Sequence, residues 1–240
     1  MTQRRLVLTC EHGGNRVPAP YRQLFATRAA QAALDSHRGY DLGALALARR
    51  LSRQLATELL YSTVTRLLVE PNKTIGHAAV FSDFSALLSD AERQQVLARY
   101  YHPHRERVTA RIDRLAAIGA DVVHVAVHSF TPRLRGETRR ADIALLYDPR
   151  RPAEREFCAA WAHCMRQLDP GLCYRKNYPY RGRDDGFTTW LRGRHPDPRY
   201  LGIELEVNQR LLVGARQELP RVVSVVGRSL AGLLGRRPQT

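Results

Sequence analysis

Cysteine is scarce and badly placed for a metal ribbon. The four present, Cys10, Cys158, Cys164 and Cys173, form no C-x-x-C pair. Neither a zinc ribbon nor a thioredoxin-like redox motif is therefore available. No apolar run approaches the ~18 residues of a spanning helix, and nothing before Arg5 resembles a secretory leader. Internal repeats and low-complexity tracts are absent as well. These absences lead to the expectation of a cytoplasmic protein with reduced thiols and no membrane contact. Acidic residues are also few: 23 Asp and Glu stand against 38 Lys and Arg, a net charge of +15 carried almost wholly by arginine. Such an excess suits nucleic acid or small anionic substrates. The arginines are scattered in ones and twos, with no helix-turn-helix, zinc-finger or RNP-like signature beside them. Nucleic acid is accordingly the weaker reading, and the oligomeric state is not legible.

What is present describes an ordinary globular chain. Its 240 residues are 44% hydrophobic and 25% charged, enough for one domain over residues 1–240 with a substantial core. Short apolar runs alternate with helical patterns, which predicts an α/β fold: a mixed sheet flanked by helices. Strands are expected at Arg5–Thr9, Leu59–Val64, Leu67–Glu70, Asp121–Val127, Ala141–Tyr147 and Tyr200–Val207. Helices are expected over 40–58, opened by Asp41, over 89–118 behind a Ser89/Glu92 capping box, over 152–168 and over 217–234. Pro103 should kink the second of these. The stretch Asn177–Arg192, rich in Gly, Asp, Arg and Tyr, reads as a loop.

In α/β sheets ligands gather at the carboxyl ends of the strands, and three of these predicted ends carry unusual side chains. "LTCEHGGN" (residues 8–15) runs from a strand into Glu11 and His12, "DVVHVAV" runs into His128, and "GIELEV" holds Glu204 and Glu206. Alternation along the strand points both glutamates to one face, where a carboxylate is costly unless it is paired, bound to metal or acting as a base. Two histidines with a carboxylate are the usual ligand set of a hydrolytic zinc site. His124 is read as structural, His37 as reaching toward the same cleft, and the arginines of the 177–192 loop as a clamp for planar anions.

Seven stretches, in order, carry a resemblance: "CEHGGN", "HRGYDLGA", "TRLLVEPNK", "HVAVHSFTP", "IALLYD", "NYPYRGRDDGFTTWLR" and "GIELEVNQ". Together, over about residues 6 to 212, they resemble the N-formylglutamate amidohydrolase family. The resemblance implies a phosphorylase/hydrolase-like α/β fold related to zinc exopeptidases. It also implies metal-assisted hydrolysis of a short N-acyl amide, typically N-formyl-L-glutamate, with Zn2+ or another divalent ion as cofactor. Carried onto this chain, it makes His12, His128 and Asp41 the metal ligands, with Glu11 competing for the third place, and Glu206 the general base. Arg66, Asn72, Arg181 and Arg192 become the candidates for holding an anionic N-acyl amino acid. The chain departs from the family where Glu11-His12-Gly13-Gly14 replaces a "PHAG" and Glu70-Pro71-Asn72-Lys73 replaces a "DLNR". These departures suit a shorter, divergent branch. Glu11 is expected to brace the turn rather than to bind metal.

Overall fold

A computed structural model describes residues 4–214 and 218–235. In chain order it begins with β1 (Arg4–Cys10), α1 (Arg28–Leu34), α2 (Ala44–Gln54), β2 (Leu59–Tyr61), α3 (Asp90–Val96), α4 (His102–Ala117) and β3 (Asp121–Phe130). A small hairpin follows, β4 (Arg133–Leu134) with β5 (Glu137–Thr138), then β6 (Ile143–Leu146), α5 (Pro152–Leu168) and β7 (Tyr174–Lys176). The chain closes through α6 (Phe187–Arg192), β8 (Tyr200–Asn208), α7 (Gln209–Leu212) and α8 (Leu219–Leu233).

Six strands form one sheet in the order β2-β1-β3-β8-β6-β7. The first four are mutually parallel, while β6 runs antiparallel to β8 and carries β7 parallel to itself. This is the mixed α/β sheet expected from the sequence. β3 and β8 lie at its centre, buried on both faces, which is why they read as nearly continuous apolar runs. Leu6, Leu8, Val125, Ile203 and Leu205 face the main core with α2, α5 and α8. In α2 the buried residues Ala44, Leu47, Ala48 and Leu51 recur at helical spacing, so one stripe of the helix meets the sheet. α4 and α6 cover the other face through Val108, Ile112, Phe187 and Leu191.

The differences from the sequence reading have local causes. Leu67–Glu70 is no strand: Leu68 N–H bonds the carbonyl of Thr65 in a turn, and the apolar residues pack into a separate cluster with Tyr21, Phe25 and Val96. A short apolar run bounded by proline carries no period to tell strand from packed turn. The helix expected from Tyr40 starts at Ala44, because Gly43 stands before it at φ +80°, beside Leu212. The Ser89/Glu92 capping box is present, but its helix passes through a π turn, Leu97–Tyr101, before α4. Pro103 stands two residues past that turn; it offers no N–H and crowds the carbonyl four residues back. The 177–192 segment is a loop only in part, since it ends in α6. Gln217, the expected start of the last helix, lies outside the described residues. No helix among the described residues is long and apolar enough to cross a membrane.

Candidate active site

β1 delivers the first histidine. Beyond Cys10 the chain turns at Gly13, whose N–H bonds the carbonyl of Ser62 at 3.0 Å. A Cβ on Gly13 would stand 2.7 Å from that oxygen, and one on Gly14 would stand 2.9 Å from the carbonyl of Thr63. Both glycines are thus required for close passage of one chain past another, and this aims His12 over the strand ends. The carbonyl of His12 accepts the N–H of Asp41 at 3.0 Å, which draws the segment ahead of α2 onto the same spot.

His128 and Glu206 arrive by register. They are paired positions on the neighbouring strands β3 and β8, with Ala126 opposite Glu204 two residues earlier. Side chains two apart share a face, so Glu204 and Glu206 both look into the cleft that holds His12, Asp41 and His128, about 450 Å³ in volume.

The geometry converges on one oxygen. Asp41 Oδ2 lies 3.3 Å from His12 Nδ1 and 2.9 Å from His128 Nδ1, and accepts the N–H of Ser129 at 3.3 Å. The two imidazoles meet edge to face with centroids 5.0 Å apart. Their far nitrogens face carboxylates. His12 Nε2 is in close contact with Glu70 Oε1, and His128 Nε2 lies 3.3 Å from Glu11 Oε2. Glu70 is held in turn by Arg66 Nε at 2.6 Å and by the N–H of Asn72 at 2.9 Å; Glu11 Oε1 lies 3.5 Å from His104 Nε2.

Charge follows from this packing. Burial alone would raise the Glu11 carboxyl, but His104 and His128 hold it well below the ordinary range. Burial would also raise Glu70, yet Arg66 and then His12 bring it down to about 2. Asp41 likewise falls, despite burial, because His12 and His128 face it. For the imidazoles burial acts the other way and is again outweighed: Glu70 and Asp41 raise His12, and Asp41 and Glu11 raise His128. Glu206 is the exception. Burial, with the nearby charges of Asp41 and Glu204, pushes its carboxyl up to about 8 although His128 opposes the change. Its Oε2 is buried without a hydrogen-bond partner.

These residues fit a divalent metal ion. One ligand atom each from His12, Asp41 and His128 can be chosen so that all lie within 4.8 Å of one another. A tetrahedral ion with bonds of 2.0–2.1 Å wants neighbouring donors ~3.3 Å apart, close to the two Nδ1–Oδ2 distances. With a carboxylate beside each Nε2 to hold its proton, Nδ1 would be the donor to an ion, the usual way a ligating histidine is oriented.

Of the residues singled out in the sequence, the fold brings His12, Asp41, His128, Glu206, Arg66, Asn72 and Arg181 to one cleft, and His37 as well. Arg66 is already engaged by Glu70 and, at 3.4 Å, by Asp41. Asn72 uses its Oδ1 to accept the N–H of Phe187 at 2.8 Å, tying the 177–192 segment to the Glu70 turn. Arg181 is exposed at the cleft. Arg192 is not brought there. It is buried against Glu154, with Nε 3.0 Å from Oε1, and it donates to the carbonyls of Gly182 and Gly202. A buried guanidinium with its donors committed holds the loop to β8 and offers little to a substrate. His124 is structural as expected: it sits between Thr9 Oγ1 and Tyr200 OH, and burial lowers it to about 4. Sequence reasoning missed Glu70 and His104 as partners of the histidine system. Only the "EPN" turn and the "HPH" step mark them, and neither spells out a contact 58 or 93 residues away.

A cleft of buried carboxylates and imidazoles at the strand ends of a mixed α/β sheet has the groups that a hydrolase uses. The chain belongs to the N-formylglutamate amidohydrolase family, whose model matches residues 4–213. A gene product of Agrobacterium tumefaciens is similar in structure, with TM-score 0.75 and 26% identity over 95% of this chain and 91% of that one. The N-formylglutamate amidohydrolase of Ralstonia eutropha JMP134 shares the fold, with TM-score 0.66 and 21% identity over 98% and 92% of the two chains. No curated protein matches the chain.

Proposed function

We propose that the chain hydrolyses the amide of a small anionic N-formyl or N-acyl amino acid, N-formyl-L-glutamate being the reference substrate, with a divalent ion held by His12, His128 and Asp41. The observation that carries this reading is the shared orientation of the two imidazoles, Nδ1 toward Asp41 Oδ2 and Nε2 toward a buried carboxylate. Zinc is the first choice of ion for such a donor set. When bound, the ion polarises an acyl oxygen and lowers the pKa of water.

The protein's own groups supply the rest. Glu206 faces the cleft from β8 with a free buried oxygen. In its ionised form, which a cation bound by His12, Asp41 and His128 would favour, it takes a proton from the attacking water as the new C–O bond forms, then returns it to the amine nitrogen as the C–N bond breaks. Arg181 and Asn72, which line the same cleft, receive the substrate carboxylate, and this positions the acyl carbon. Arg66 serves the reaction by holding Glu70 against His12. A screen of N-formyl and N-acyl amino acids, followed by amine release, tests the assignment. Arg181→Ala should raise KM with little change in kcat. If a metal-loaded protein hydrolyses no member of the panel, the reading fails.

A further inference from the structure

On the far side of the turn 70–74 lies a second cavity of about 490 Å³, between α4 and α6. It is lined by Ile75, Tyr101, Arg105, Ala110 and Trp190, among others, and shares no lining residue with the catalytic cleft. Its character is largely apolar. Ile75 is 50% exposed, an uncovered branched side chain at its edge.

Arg105 is the unusual member. Only 6% of it is exposed, and its guanidinium lies against three rings, 4.0 Å from the centroid of Phe187, 5.0 Å from Trp190 and 5.1 Å from Tyr101. It donates one hydrogen bond, 3.0 Å, to the carbonyl of Pro71. Among the described residues it makes no ion pair. The other charges at the cavity do not answer it. Asp113 is shared by Arg194 at 3.3 Å and His195 at 2.9 Å, and Glu106 is exposed on α4. Buried charges are ordinarily paired, and here a buried cation borders open space of ligand size. Burial lowers its pKa, although Tyr101 and the more distant carboxylates of Glu11 and Asp185 oppose the change.

We infer that this cavity is a second ligand site, for a small molecule that joins one anionic group to an aromatic or branched apolar body. The anion pairs with Arg105 and the body packs against Trp190, Tyr101 and Ile75. A ring stacked beside Trp190 and a charge-assisted bond to a guanidinium are both strongest where water is excluded.

Benzoate is the probe, titrated calorimetrically into the full-length protein, with benzyl alcohol as its neutral counterpart. The expected result is saturable benzoate binding at least tenfold tighter than that of benzyl alcohol. Arg105→Gln should weaken benzoate at least tenfold. Because Arg105 also supports Pro71, the second variant is Ala110→Phe, at an exposed position on α4 that lines the groove; it should abolish binding. Equal binding of the two probes overturns the inference, as does no saturable benzoate binding by the wild type. Benzoate binding left intact by Ala110→Phe places the ligand elsewhere, the catalytic cleft included, and also overturns it. None of these readouts depends on hydrolysis, so the two proposals fail separately.

Discussion

Glu11→Gln isolates what the carboxylate behind His128 does. Glu11 is wholly buried, within 3.3 Å of His128 Nε2 and 3.5 Å of His104 Nε2. Glutamine preserves volume and one acceptor but removes the negative charge that makes the imidazole a better donor at Nδ1. Changing such an outer partner ordinarily weakens metal binding about 10–100-fold, that is ~1.4–2.7 kcal/mol at 1.36 kcal/mol per decade. The assay is competition against a chromophoric chelator at neutral pH, with thermal melting to show that the variant is folded. A folded Glu11→Gln protein that binds metal within about twofold of the wild type, well short of the usual outer-partner effect, would refute the reasoning. Glu11 would then only fill the space beneath the turn.

Further outcomes follow from the same contacts. In metal-free protein the Glu206 carboxyl, pushed up to about 8 by burial, stays protonated in the folded state where an unfolded carboxyl is ionised. The folded state then binds more protons, so stability falls as pH rises from about 5 to about 8. His12 and His128, also raised, act in the same direction above their unfolded value. Denaturant titrations across that range should show a flatter pH slope in Glu206→Gln than in the wild type; equal slopes would remove Glu206 as the cause. Arg192→Ala removes one of the two guanidinium partners of buried Glu154, leaving Arg151 at 3.1 Å, and should destabilise by about 1–3 kcal/mol, while the protein that remains folded keeps its KM. A raised KM at unchanged stability would return Arg192 to the substrate. A Cβ at Gly182 would meet the Tyr147 nitrogen at 2.1 Å, so Gly182→Ala should displace the segment bearing Arg181 and raise KM. An unchanged KM would show that Arg181 does not depend on that close approach.

The sheet was legible where period and burial agree. β3 and β8 are buried on both faces and largely apolar, so His128 and Glu206 stood out against their neighbours. His12 was visible for the same reason, two residues past a strand. Asp41 came from the family motif: nothing local says that a residue ahead of α2 turns back onto His12. Glu70 and His104 were invisible because their meaning lies in contacts made by the folded chain. Arg192 shows the converse. A loop of Arg, Asp, Gly and Tyr has the composition of an anion clamp, but its last turn is a helix whose arginine is buried against α5.

The central claim is that His12, His128 and Asp41 hold a catalytic ion beside Glu206. Elemental analysis of purified wild type, His128→Ala and Glu206→Gln, run with an N-formyl-L-glutamate assay, tests it most directly. One ion per chain is expected in the wild type and in Glu206→Gln, none in His128→Ala, with hydrolysis by the wild type alone. A wild type without stoichiometric metal, or a His128→Ala protein that keeps its full complement, would contradict the account.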